Sequence, residues 1–312
     1  MSDGAKRQQP LVASVVVTYG DVPGLKTLVS ELDAIADSVT VIVENGVRTS
    51  LPCDPTGIVS GQGNIGYGSG VNLGYRTLVE RGIEPEWLLI CNSDLRVVAR
   101  DLDNLRRRLV TTSAPIVAIR FARSRSTAVL PDWRSALLQC LLGEARVAKR
   151  YPKRNYPVGA CFAIRTSLFL QLNGFDPDFW LYFEETDLFW RAISMNASID
   201  WIDLDIQHYG GQSSPGTTIL GYELGRSGAI FAHKRGWWFL ATWSPTFLLQ
   251  TLSVVFRSIL RRHFQLALTN LFAIPGFLQG LGFPGYAPFE RSKFNAAPRA
   301  VRHLHSSLLS PP

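Results

Sequence analysis

"EWLLICNSD", residues 86–94, runs through five apolar residues and then stops on three polar ones. A short apolar run that ends on turn-forming residues reads as a strand buried on both faces, as in a parallel sheet. The same pattern occurs upstream in "LVASVVVT" (11–18), "VTVIVENG" (39–46) and, more briefly, "TGIVSG" (56–61). Between the first two lies a helical spacing of Leu25, Leu28, Val29, Leu32 and Ile35, and residues 69–81 can form a second helix. Buried strands alternating with helices predict an α/β fold, a mostly parallel sheet with helices on both faces. Ligands bind beyond the carboxyl ends of the strands in such sheets. Thr18, Glu44, Asn45, Asn92 and Asp94 all fall there. Ordinary turn and capping chemistry explains any one of them; their convergence on one edge points to a site.

Downstream, residues 120–157 are rich in Arg, Ser and Pro and read as a loop region with one short helix. Order resumes over 158–176 with a strand, a helix and a turn. "FWLYFEETDLFWR" (179–191) then sets Glu184, Glu185 and Asp187 among six aromatic residues and opens a helix. Carboxylates are among the residues least often buried, so three acids in such a neighbourhood call for a reason. "SIDWIDLDIQHYGG" (198–211) alternates like a strand and delivers His208 near its end.

"GQGNIG" (61–66) has the form G-x-G-x-x-G, but the dinucleotide fingerprint needs its third glycine to open a helix directly. Here "YGSG" follows, and that glycine content predicts a loop, with the chain lying against a nucleotide and its ribose. Asn64, Gly66 and Asn72 are its candidate contacts, joined by Thr18 and Tyr19 at the end of the first strand. In "NSD", Asn92 and Asp94 are two residues apart on an extended segment and point to the same side. An amide and a carboxylate so placed suit a hard divalent cation such as Mg²⁺ or Mn²⁺, which keeps several waters and takes substrate phosphate oxygens. His208 is placed to complete that site.

The net charge of +7 is unevenly spread. Residues 211–312 carry ten Lys/Arg against Glu223 and Glu290, whereas the preceding 210 residues are close to neutral. The same tail contains two long uncharged stretches, 237–256 and 264–289, with "RSILRRH" between them. A nucleic-acid surface has no need of such apolar runs, so the composition favours a membrane surface. Pro245, Pro275, Pro284 and Pro288 predict interrupted helices lying in the interface rather than spanning it. Residues 1–10 are short and polar, with no apolar core of a secretory signal, and read as disordered. Cys53, Cys91, Cys140 and Cys161 form no CxxC pair, which argues against a zinc knuckle and fits a reducing compartment.

"SVVVTYG" (14–20), "VIVENG" (41–46), "GNIGYGSGVNLG" (63–74), "WLLICNSDL" (87–95), the 158–191 segment and "IQHYGGQSS" (206–214) together resemble bacterial glycosyltransferase family 2, in its rhamnosyltransferase-like branch. The resemblance covers about residues 11–215. It implies the GT-A fold for 11–215, and the composition of the tail makes 216–312 a helical membrane-associating region. It also implies a nucleotide-diphospho-sugar donor, foremost dTDP-L-rhamnose with UDP-galactofuranose behind it, and transfer with inversion at the anomeric centre. By matching position Asp94 would be the acid of the metal motif, His208 the metal-side histidine and Glu44 the residue facing the base. The family usually has Asp where this chain has Glu44, and Asp where it has Glu185, the expected catalytic base.

An inverting transfer needs a carboxylate to take the proton of the attacking hydroxyl. Aromatic walls complement a sugar ring and exclude water, which accounts for acids in an aromatic setting. A lipid-linked saccharide acceptor at the cytoplasmic face of the plasma membrane would account for the tail. The alternative is a catalytically inactive nucleotide-sugar-binding protein on the membrane.

Overall fold

A computed structural model of the 312-residue chain describes residues 10–46, 48–51, 57–121, 126–208 and 217–282. Cys53, residues 1–9, "YGGQSS" after His208 and the tail beyond 282 lie outside the described residues, and with them most of the N-terminal segment expected to be disordered.

The central sheet has seven strands. Its parallel members are β1 (Val12–Thr18), β2 (Ser38–Glu44), β3 (Ile58–Val59), β4 (Trp87–Asn92), β6 (Ile116–Phe121) and β10 (Ile199–Leu204). Their order across the sheet is β10-β6-β9-β4-β1-β2-β3, and β9 (Cys161–Arg165) runs antiparallel to β4 and β6 on either side of it. Register places Thr18 opposite Glu44 and Val17 opposite Asn92, so the three polar strand ends form one edge. The mostly parallel sheet with flanking helices and a helical C-terminal region is therefore the observed architecture.

The central strands β1, β4 and β9 are buried on both faces, and their alternate residues enter different cores. Ala13, Val15 and Val17 pack with Tyr75 and Leu78 of α2 (Tyr67–Glu80), with Phe169 of α6 (Thr166–Gln171) and with Phe189 of α7 (Glu184–Ser194). Val12 and Val16 pack with Leu25, Leu28 and Leu32 of α1 (Leu25–Asp33) and Leu102, Leu105 and Leu109 of α3 (Ala99–Thr111). Across β4 and β9 the thiols of Cys91 and Cys161 come within 3.6 Å, as free cysteines.

Three expectations need correction. The "YGSG" segment is the first turn of α2, not a loop. Glycine is a poor helix former, but here packing outweighs propensity. A Cβ on Gly70 or Gly74 would come within 2.9 Å of Val17 or 2.6 Å of Val15, so only bare backbone can lie this close to the sheet. A helix thus does open at Gly66, but without the long central strand that precedes it in a dinucleotide-binding unit. It follows a two-residue edge strand, and the Tyr67 amide at its start already donates to the Trp180 carbonyl. Second, the described residues 126–157 form more than a loop with one helix. They hold the strand pair β7 (Thr127–Val129) and β8 (Asn155–Pro157), and the helices α4 (Trp133–Leu142) and α5 (Glu144–Arg150). Asp132 and Ser135 form a capping box at the start of α4.

The third correction concerns the tail. α8 (Thr217–His233) is followed by α9 (Trp237–Leu260) and α10 (Phe264–Leu281), which run unbroken through Pro245 and Pro275. Both are long and apolar enough to cross a membrane by length and composition. Gly221 and Gly225 of α8 lie against the Thr269 and Ala273 carbonyls of α10, and Gly276 and Gly280 of α10 lie against the Tyr222 and Arg226 carbonyls of α8, where a Cβ would collide. Small residues spaced by four let the two backbones touch. The prolines are accommodated because each lies on an exposed face, where the carbonyl four residues back, Ala241 or Leu271, loses its helical partner.

Candidate active site

The polar strand ends and the start of α7 surround one cavity of about 390 Å³. Of the residues expected at a site, Thr18, Tyr19, Asn45, Asn64, Gly66, Asn92, Asp94, Glu184, Glu185 and His208 line it. Glu44, Asn72 and Asp187 are not among its walls. Glu44 turns its carboxylate to the Thr49 amide and hydroxyl, at 2.6 and 2.7 Å, and secures the chain after β2. Asn72 is a clamp: its amide bonds the Phe175 carbonyl and amide, at 2.8 and 2.9 Å. Asp187 is held by two arginines, 2.8 Å from Arg191 and 2.7 Å from Arg235. Burial would raise its pKa, but the two guanidiniums outweigh it and hold the carboxyl below its ordinary range.

The backbone delivers the two glutamates by a tight turn. Tyr182 and Phe183 both sit in the left-handed region, with φ of 65° and 66°, immediately before α7. Bulky residues rarely adopt this conformation, and the surrounding packing must compensate for it. Phe183 inserts among Phe231, Trp243 and Phe247 of the tail helices, and the Ser227 hydroxyl of α8 donates to the Leu181 carbonyl at 2.8 Å. The tail therefore helps to set the turn that aims Glu184 and Glu185.

Glu184 is buried, one of its oxygens lacks a hydrogen-bond partner, and burial followed by the charge of Glu185 pushes its pKa well up. Glu185 is half-buried and open to the cavity. The two glutamates also act on the Tyr182 phenol, which burial, Glu184 and Glu185 push up to about 12. Tyr67 donates from its hydroxyl to the Gly159 carbonyl at 3.1 Å. Tyr67, Gly159 and Leu220 of α8 are wall residues that sequence reasoning did not select. The first two carried a signal, since they lie inside the segments that bear the resemblance; Leu220 carried none.

His208 reaches Asp94 through pairing that follows β10. After Leu204 the chain forms a short strand, β11 (Gln207–His208), antiparallel to β5 (Leu95–Arg96), with His208 opposite Leu95. His208 Nε2 lies 3.2 Å from Asp94 Oδ1 and 3.4 Å from Asn92 Nδ2. The first contact is close enough for an ion pair if His208 is protonated. It lacks hydrogen-bond geometry, however, so Asp94 Oδ1 is buried without a hydrogen-bond partner. A nitrogen lone pair and an orphaned carboxylate oxygen side by side fit a divalent cation. No third His, Cys, Asp or Glu joins them among the described residues, so water and substrate oxygens would supply the remaining ligands. The described walls also contain three acids and no Lys or Arg. A diphosphate could be neutralised here only by a cation from outside the described wall.

No protein-family model matches the chain. A stretch of 197 residues is 27% identical to the low-salt glycan biosynthesis hexosyltransferase Agl10 of Haloferax volcanii, covering 59% of this chain and 62% of that relative. The match thus spans less than two thirds of the relative's length. Among solved structures, S. aureus TarS residues 1–349 aligns with a TM-score of 0.41 at 14% identity, over 88% of this chain and 93% of that one. The same TarS segment in complex with UDP-GlcNAc aligns with a TM-score of 0.42 at 15% identity, over 87% and 79%.

Proposed function

We propose that the protein is a metal-dependent, inverting glycosyltransferase that moves a hexose from a nucleotide-diphosphate donor to an acceptor hydroxyl in glycan biosynthesis. The observation that carries this reading is the meeting, in one cavity, of the Asp94–His208 pair with the Glu184–Glu185 pair. The similarity to a hexosyltransferase of glycan biosynthesis supports the sugar class. The sequence resemblance favours dTDP-L-rhamnose as donor over UDP-galactofuranose.

In this mechanism the two glutamates divide the work. Burial and the charge of Glu185 favour the neutral form of Glu184, which suits it to hold the turn and shape the wall. Glu185, with access to the cavity, takes the acceptor proton. Asp94 and His208, with Asn92 beside them, would hold Mg²⁺ or Mn²⁺. When bound, such a cation stabilises the charge that develops on the departing diphosphate. Asn45 accepts from the Ile65 amide at 2.8 Å and so fixes the glycine-rich segment along the donor side. Gly66 leaves room for Trp180, whose carbonyl would lie 2.3 Å from a Cβ there.

The exposed apolar face of the tail supports a site at the cytoplasmic face of the plasma membrane, over a lipid-linked acceptor. α9 packs along α4 and buries Trp243 and Phe247 against the catalytic domain. Were α9 to span the bilayer, the exposed Arg134 of α4, the helix packed along it, would be carried into hydrocarbon. In-plane binding by the exposed face, with Trp237, Trp238, Leu249, Leu252 and Phe256, avoids that cost. It also leaves the carbonyls freed by Pro245 and Pro275 at headgroup depth, where water can reach them.

The test is release of nucleoside diphosphate from a panel of dTDP-rhamnose, UDP-galactofuranose and UDP-GlcNAc, with Mg²⁺, Mn²⁺ or EDTA, with and without bacterial lipid extract. Metal-dependent turnover stimulated by lipid is expected. Tight nucleotide-sugar binding without turnover for any donor would instead favour an inactive binding protein.

A further inference from the structure

A second cavity, of about 440 Å³, adjoins the first at Glu185 and Tyr182. Its volume is within the roughly 300–1,000 Å³ of small-molecule sites. Its other walls come from β7 and β8, from Phe183 and Thr186 at the start of α7, and from α4 and the tail helices. Their chemistry is distinctive. Gln139, Gln250 and Asn270 bring amides, Thr251 a hydroxyl, and Trp243 and Phe247 aromatic rings. Gln250 donates to Gln139 at 3.2 Å, which leaves the Gln139 NH₂ group and the second Gln250 N–H outside that bond. Among the described residues of the wall, Glu185 alone carries a formal charge.

This composition discriminates between ligands. A phosphate group is favoured by Lys, Arg or a metal, and the described wall supplies none of them and sets the like charge of Glu185 against it. A neutral sugar needs amides and hydroxyls for its hydroxyl groups and rings for its apolar face. Just outside, α9 exposes Leu249, Leu252 and Phe256, within two residues of the wall residues Gln250, Thr251 and Val254. We propose that this cavity seats a neutral terminal sugar of an amphiphilic acceptor, whose apolar chain lies along the exposed faces of α9 and α10. The proposal rests on the transferase reading for its chemistry. The acceptor oxygen bonds to the anomeric carbon, and the carbon–oxygen bond to the diphosphate breaks with its electron pair leaving on the nucleotide. The hydroxyl proton passes to Glu185, the one acid common to both cavities. The acceptor thus approaches from the membrane side, and the donor occupies the cavity at the strand ends.

Octyl β-D-glucoside carrying a photoactivatable diazirine, used on the full chain below its micelle concentration, tests this directly. Mass spectrometry is expected to map the adducts to residues 128–139, 182–186 and 243–254, with protection by unlabelled octyl glucoside and not by octyl phosphate. Leu224→Trp, which fills this cavity without touching the first, is expected to lower labelling at least tenfold while UDP–Mn²⁺ binding changes less than twofold. Should that variant misfold by circular dichroism, the double substitution Gln139→Leu/Gln250→Leu is expected to lower labelling in the same way. Labelling spread over the apolar faces and insensitive to these substitutions overturns the proposal, and equal protection by octyl phosphate overturns the neutral-sugar assignment. Absence of UDP–Mn²⁺ binding in the unsubstituted protein would count against the transferase reading alone, because the labelling pattern is read independently of it.

Discussion

Arg235, two residues past α8, donates to Asp187 in the first turn of α7 across 2.7 Å, and both side chains are buried. The pair ties the tail to the helix that carries Glu184 and Glu185. Lys234 beside it bridges Asp176 and Asp178 at 2.8 and 2.6 Å. The tail is thereby fixed to the segment that carries Trp180, Glu184 and Glu185 by charge as well as by aromatic packing.

Removing one partner of a buried ion pair strands the other. Arg235→Ala is expected to cost about 3–5 kcal/mol in urea unfolding. The folded pKa of Asp187 is lowered, so its contribution is present above the ordinary carboxylate value of about 4 and is lost as pH falls through the lowered folded value. Unfolding of the native protein should therefore steepen below about pH 4, and Asp187→Asn should flatten that acid limb. An unchanged limb would mean that Asp187 is not the group being titrated.

The neighbouring glutamate has the opposite sign. The folded pKa of Glu184 is raised, so its contribution is complete below an unfolded value of about 4.3 and is lost as pH rises through the folded value. Glu184→Gln should raise the Tm at pH 7–8 and leave it nearly unchanged at pH 4.

Glu185→Gln should keep donor binding and lower turnover by roughly 10²–10⁴, the usual contribution of a general base. Glu185→Asp should retain more activity than the amide, because the carboxylate is kept and only its reach shortens by one methylene. A fully active Glu185→Gln would move the base elsewhere.

Asp94→Ala removes the buried carboxylate beside His208. Metal-dependent binding of a nucleotide-sugar, followed by calorimetry with Mn²⁺, should be lost, while thermal unfolding without metal changes little. Normal binding by the variant would show that the cation is held elsewhere.

Arg257, Arg261 and Arg262 are exposed where α9 ends. Each basic residue near an anionic surface contributes about 1 kcal/mol. Changing all three to Glu should release much of the protein from phosphatidylglycerol vesicles with the circular dichroism unchanged, and salt should partly extract the unsubstituted protein. Extraction by detergent alone would make α9 a spanning helix.

The sequence by itself determined the layered α/β architecture and the edge at which the site forms. Runs such as "SVVVT" and "WLLIC" can be satisfied only by burial on both faces, and the polar residues that end them then line one edge of a parallel sheet. Thr18, Asn45, Asn92 and Asp94 were legible for that reason. Tertiary structure decided what depends on a neighbour distant in sequence. The helix at "YGSG" exists because Val15 and Val17 demand bare backbone beside them, against its local propensity. Asp187 parts from Glu185 by the direction its side chain takes, towards Arg191 and Arg235 and away from the cavity. The same holds for the second cavity, whose walls are brought together by α4 and the tail and share no sequence pattern. A strand's periodicity is a local property and can be read along the chain. An ion pair or a cavity is a relation between surfaces that meet only when the chain has folded.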